Sequence, residues 1–223
     1  MSATRQRGRD RGGRSGLSFS RTELRDLAVA WVALGLAFAI FFARGGTGVI
    51  RLLATGGFLA ALVVSLLTAG LGFLLHELAH KVVAVRYGQI AEFRADFGML
   101  FLAVISALAG FIFAAPGAVY HRGRLTERES GLIALAGPVT NLALAAVFVP
   151  VFVAGGLLGS PLLSLLGGRG IGINLFLAAF NMLPFGALDG NTVISWSRTA
   201  FAAVFVPSLV LTVVVVFVLG VGF

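Results

Sequence analysis

Long apolar stretches separated by short polar or glycine-rich breaks fill most of the chain after residue 20. A membrane-spanning helix needs roughly 20 mostly apolar residues, and about five stretches reach that length. Ser20 and Glu23 have capping-box spacing, so the first predicted helix starts there and runs through Trp31 to Phe42, ending at Arg44-Gly45-Gly46. A second apolar run extends from about Leu52 through Leu75 into His76-Glu77-Leu78-Ala79-His80, with Lys81, Arg86 and Tyr87 expected as interfacial anchors at its end. Thr126 and Glu129 repeat the capping-box spacing. The helix that follows is predicted through Gly137-Pro138-Val139-Thr140-Asn141 to about Ala154. After a loop expected around Arg169, an apolar segment from Ile171 to Leu183 breaks at Pro184, which has no backbone donor. The last span is predicted from about Phe201 to Val221.

The run from Phe97 to Ala115 is ambiguous, and topology constrains it. If a basic N-terminal tail is cytoplasmic, the first span exits and the second returns, leaving Lys81, Arg86 and Arg94 inside, as the positive-inside rule prefers. For Asp189 to meet the histidines, its segment must also descend to the cytoplasmic side. The Phe97 to Ala115 run then starts and finishes on one side, which predicts a re-entrant or incompletely crossing element covered by protein. A short β-prone stretch, Ala118 to Tyr120, follows it.

Composition narrows the class. Of the 223 residues, 58% are hydrophobic and 12% charged, with a mean hydropathy of +1.00, far too apolar for a soluble domain. The expected fold is therefore an all-α polytopic membrane protein with about five to six transmembrane helices and a re-entrant or short β-hairpin element near the active site. It is read as one domain, residues 21–223, behind a disordered basic tail, residues 1–20. In that tail Arg5, Arg7, Arg9, Arg11 and Arg14 alternate largely with glycine and supply much of the net charge of +8. The tail reads as a topology-setting cytoplasmic segment near anionic lipid headgroups rather than as a nucleic-acid arm. The localisation expected is a multi-pass protein of the cell membrane. The absence of cysteine excludes disulfides, thiolate nucleophiles and cysteine-bound metal, so any metal site must use histidine and carboxylate.

Glu77 and Asp189 are the acidic residues that fall within or at the end of apolar segments, and two of the three histidines flank Glu77. An ionisable side chain at the centre of a membrane helix costs roughly 2.5–3.5 kcal/mol, so this cluster needs a compensating partner. His76 and His80 stand four apart and project from one helix face, where both imidazoles can bind one ion. In a zinc hydrolase the ion lowers the pKa of its water towards about 7, and an adjacent carboxylate such as Glu77 handles the proton. Two histidines leave a catalytic zinc one protein ligand short, and Asp189 can complete the set. A rise of about 1.5 Å per residue puts His76 about 15 Å deeper than Arg86. The bland alternative is a pair of helix histidines bonded to carbonyls, with Glu77 paired to Lys81.

Asn181-Met182-Leu183-Pro184-Phe185-Gly186-Ala187-Leu188-Asp189-Gly190 resembles the NxxPxxxLDG motif of the site-2 protease family of intramembrane zinc metalloproteases. His76 to His80 matches that family's HExxH and Gly137 to Asn141 its GPxxN, in the family's order, over roughly Leu71 to Gly190. No PDZ-like or CBS domain is expected within this length, so the likeness is to a compact form. The resemblance implies one zinc ion per chain held by His76, His80 and Asp189, with Glu77 as general base. It further implies that Asn181 orients substrate or stabilises the oxyanion, and that the substrate is a membrane-anchored protein. A helix-packing amide is the alternative for Asn181, as it is for Asn141, where an interhelical hydrogen bond is expected. His121, beside Arg122, reads as solvated. A catalytically silent zinc-binding scaffold and a divalent-cation transporter remain open as alternatives, and the sequence fixes no oligomeric state. Transport would call for ligands along a path and repeated halves, whereas the polar groups form one cluster.

Overall fold

Ser20 caps the first helix, α1 (Arg21–Phe42), by accepting the Glu23 N–H at 3.0 Å, as its sequence position predicts. The chain is seen here in a computed structural model that describes residues 16–113 and 116–222. Most of the predicted tail, residues 1–15, therefore lies outside the described residues. Glu23 does not complete the capping box. Its carboxylate turns inward to Lys81 and to the Phe93 N–H, because two buried partners outcompete a solvent-facing backbone donor.

After α2 (Gly46–Ala54), the second span is α3 (Phe58–Ser65) joined through a π-helical turn, Leu66–Gly70, to α4 (Leu71–Arg86). A π turn disturbs the regular ladder of helix hydrogen bonds. Trp31 of α1 donates its indole N–H to Leu66 O at 3.0 Å beside it. Lys81, expected at the interface, is instead 1% exposed and paired with Glu23. Hydropathy patterning sees only the charge and misses the buried carboxylate 58 residues earlier.

Strand β1 (Ile90–Ala95) follows α4, and β2 (Gly117–Arg122) pairs with it antiparallel from Ile90↔Arg122 to Ala95↔Gly117. Between them α5 (Phe97–Leu108) is capped by Asp96, which accepts the Met99 N–H at 2.9 Å. Its 12 residues rise about 18 Å, short of the roughly 30 Å hydrocarbon core. The Asp96 N–H then bonds Pro116 O at 3.1 Å, so this segment leaves and rejoins the same end of the sheet. That geometry agrees with the expected incompletely crossing element; of the expected short β element near the site, β2 was located in the sequence and β1 was not.

Helix α6 (Glu127–Leu157) opens with a complete Thr126–Glu129 capping box and packs along α7 (Pro161–Asn181). The predicted loop around Arg169 is wrong: Arg169 lies inside α7, over the Phe42 ring at 3.7 Å. Gly167 and Gly170, within the segment expected to be a loop, are packing residues. A Cβ on Gly170 would overlap the Phe148 ring and one on Gly167 the Phe152 backbone, so their absence lets α6 and α7 approach closely. A short helix, α8 (Asp189–Trp196), and a last span, α9 (Arg198–Leu211) continued by a π-helical segment, Thr212–Val218, complete the chain.

Among the described residues, five helical stretches are long and apolar enough to cross a membrane: Arg21–Phe42, Phe58–Arg86, Glu127–Leu157, Pro161–Asn181 and Arg198–Val218. The protein is a polytopic all-α membrane protein with one small sheet. The start of α1, the end of α4, the sheet, the start of α6 and α8 all gather at one end of this bundle. That end carries the site.

Candidate active site

On α4, residues 76 and 80 are one helical turn apart, and their rings meet edge to face with centroids 4.6 Å apart. Asp189 reaches the same point from the first turn of α8. Its Oδ2 lies 3.2 Å from His76 Nε2 and 3.4 Å from His80 Nε2. The geometry of the NxxPxxxLDG segment makes this approach possible. α7 ends at Asn181, ahead of Pro184; Gly186 takes φ +63°; and Gly190 sits so tightly on Met182 O that a Cβ would collide with it. The three ligand atoms lie within 4.8 Å of one another, with both histidines buried.

The protonation pattern decides what these three residues fit. Asn141 donates its Nδ2 to the Gly72 carbonyl at 3.1 Å and to Asn174 Oδ1 at 2.9 Å, so its Oδ1 is the atom facing His76 Nδ1 at 2.6 Å. His76 Nδ1 must therefore carry a proton. His80 Nδ1 likewise donates to Ile133 O at 2.7 Å. With Nδ1 so engaged, each ring turns its Nε2 towards Asp189 Oδ2, and a neutral ring offers a lone pair there. Two imidazole nitrogens and one carboxylate oxygen converging on one point could hold a metal ion, and that donor set suits zinc.

Gly137 provides the space. A Cβ there would lie 2.5 Å from His76 Nε2 and 2.6 Å from His80 Nε2, which is where an ion would sit. The GPxxN segment of α6 thus does two jobs: Gly137 leaves the ligand nitrogens uncovered, and Asn141, fully buried, fixes the tautomer of His76. Asn141 makes the interhelical hydrogen bonds expected of it. Asn174, not singled out in the sequence, extends the network by donating to Gly170 O at 2.9 Å. An amide buried in an apolar helix seven residues before Asn181 was the available signal. The network satisfies every polar atom it uses and ties α4, α6 and α7 together.

Glu77 is 7% exposed and makes no hydrogen bond or ion pair among the described residues. Lys81, which the bland alternative paired with it, is taken by Glu23. Glu77, His76, His80, Asp189 and Asn181 line one cavity of about 910 Å³. The Asn181 amide donates to Leu177 O at 2.9 Å, and its second N–H remains for another acceptor. The cavity wall is apolar along Phe38, Phe41, Phe176, Phe180 and Phe217 and reaches β2 at Val119 and His121. His121, read as solvated, is exposed but borders this cavity.

The fold and site define a polytopic membrane protein with a histidine–histidine–aspartate group that could hold a metal ion, beside an unpaired glutamate. The chain is 41% identical over 194 residues, 85% of its length and 92% of the relative's, to a Methanocaldococcus jannaschii protein named "Putative zinc metalloprotease MJ0611". It is 32% identical over 149 residues, 60% of its length and 67% of the relative's, to the Bacillus subtilis protein named "Putative zinc metalloprotease YwhC". No family model matches the chain, and no solved structure matches it. The chain belongs to the zinc metalloprotease family of these relatives.

Proposed function

We propose that this metalloprotease is of the site-2 type and hydrolyses peptide bonds in or next to the transmembrane segments of membrane-anchored proteins. The observation that carries the reading is the unpaired Glu77 carboxylate beside three converging candidate ligand atoms, in a mostly apolar cavity bounded by membrane helices. Zinc, when held by His76, His80 and Asp189, supplies Lewis acidity towards the scissile carbonyl and an acidified water. Glu77 takes the proton from the attacking water and delivers it to the leaving amine. Asn181 offers its second amide N–H to the substrate carbonyl as negative charge develops there.

A helix hides its peptide bonds, so the substrate must present an extended segment. Phe93 and Ala95 direct their N–H groups away from β2, which makes Phe93↔Val119 a non-hydrogen-bonded pair. By the same alternation, the N–H and C=O groups of Val119 and His121 face the free edge of β2, at the cavity. An extended substrate adds there as a third strand, with its apolar side chains against Phe176 and Phe180.

Orientation follows from charge. The end that bears the site carries Arg21, Arg25, Arg86, Arg94, Arg122, Arg124, Arg128 and Arg198, against Arg44 and Arg51 at the far end. By the positive-inside rule the site end and the N-terminal tail are cytoplasmic. Cleavage of a membrane-anchored reporter by reconstituted protein, lost in a Glu77→Gln variant that retains zinc, tests the reading.

A further inference from the structure

Away from the metal ligands, Lys81 and Glu23 are charges almost fully buried, each 1% exposed. Lys81 directly follows the ligand His80. It contacts the Glu23 carboxylate, donates to Ser18 O at 2.6 Å and lies 4.1 Å from the Phe19 ring centroid. The other Glu23 oxygen accepts the Phe93 N–H of β1 at 3.0 Å. Nearly one turn further along α1, Asp26 accepts the Ala95 N–H at 3.3 Å. These two strand donors belong to the edge of β1 that faces away from β2. One carboxylate therefore joins the helix that bears the metal ligands to the strand ladder beside them.

A buried ion pair is a weak source of net stability, because desolvating both charges offsets most of their attraction. What it does yield is a fixed geometry, since each charge has few other partners at that depth. Here the fixed distance is the one between α4 and the sheet. We propose that Glu23 is a positioning residue: bonded to Lys81 and to Phe93, it holds the sheet in register with the metal ligands. Together with Asp26 it also occupies the outer edge of β1, leaving β2 as the edge on which an extended substrate pairs. The substrate clause rests on the protease reading, whereas the positioning clause does not.

The chain has no cysteine, so pairs of introduced cysteines can be spin-labelled cleanly. Tyr87→Cys at the end of α4 and Tyr120→Cys on β2 report the helix-to-sheet distance. Val147→Cys and Leu162→Cys, both at exposed positions, report α6 against α7 as a control. Glu23→Gln/Lys81→Met removes both charges while leaving the Phe93 N–H an acceptor. The proposal predicts a broadened 87–120 distance distribution with an unchanged 147–162 distribution. A distribution at 87–120 as narrow as in the parent protein overturns it. If the control pair also broadens, the fold itself has loosened, and Glu23→Asp, which keeps the charge but shortens the reach, replaces the double variant with the same expectation.

Kinetics provide a second readout that a purely structural role would not move. In the zinc-loaded double variant, KM for a membrane-anchored reporter rises about tenfold while kcat is nearly kept, the pattern of lost uniform binding. The cut, read by mass spectrometry, spreads over neighbouring bonds. Parent-like KM and a single cut site overturn the proposal. Should the parent protein not cut the reporter at all, the protease reading fails, and the spin-label distances still decide the positioning claim.

Discussion

Asn141 Oδ1 and His76 Nδ1 are 2.6 Å apart, a contact that engages Nδ1 and leaves Nε2 as the ring nitrogen turned towards Asp189. Truncating Asn141 to alanine leaves the ligands in place but releases the ring. Outer partners of metal-ligating histidines are typically worth 10–100-fold in affinity, so Asn141→Ala should weaken zinc binding by about that factor. Competition against a chelator of known affinity measures it. Undiminished affinity would mean that His76 is oriented by packing alone.

Gly137→Ala should act by a different route. Its Cβ would sit 2.5 Å from His76 Nε2, in the space between the ligand nitrogens. Overpacking costs typically 1–3 kcal/mol, which the fold can absorb, but the ion and the methyl cannot share the site. The expected outcome is folded protein with sub-stoichiometric zinc, read by metal analysis on a monodisperse detergent preparation.

The edge of β2 can be tested with the backbone. His121→Pro removes an N–H that points away from β1, so the ladder survives and only pairing on the free edge is lost. His121→Ala removes the side chain and keeps that donor. The account expects His121→Pro to raise KM for a reporter about tenfold beyond His121→Ala, with zinc content equal in both.

Lys81→Ala leaves Glu23 as an unpaired buried charge, whereas Glu23→Gln/Lys81→Met removes both charges. Breaking one side of a buried pair costs about 3–5 kcal/mol, and replacing both sides is often near neutral. Thermal unfolding in detergent should therefore rank Lys81→Ala well below the parent protein and place the double variant close to it.

The cluster of His76, His80 and Asp189 with Glu77 beside it was legible in the sequence because charge in an apolar run is rare and expensive, so these residues stood out against their surroundings. Helix starts were legible for a local reason: Ser20 and Thr126 bond to backbone three residues away. What failed depended on distant partners. Lys81 looked like an anchor because Glu23 lies on another helix, and Glu23 looked like half of a capping box for the same reason. The segment around Arg169 looked like a loop because Phe148 and Phe152, which fill the space beside Gly170 and Gly167, lie on another helix. β1 was missed because its outer edge is satisfied by carboxylates of α1 rather than by a neighbouring strand. Asn174 carried no motif, and its role exists only through Asn141.

Cleavage of a membrane-anchored reporter by the reconstituted, zinc-loaded protein, compared with its Glu77→Gln variant, tests the central claim most directly. The account predicts full zinc in both proteins, cutting by the parent, and a loss of at least about 100-fold in kcat in the variant, the lower range for removing a general base. Equal cutting by both zinc-loaded proteins would contradict it, because the unpaired carboxylate beside the metal site would then have no part in the reaction.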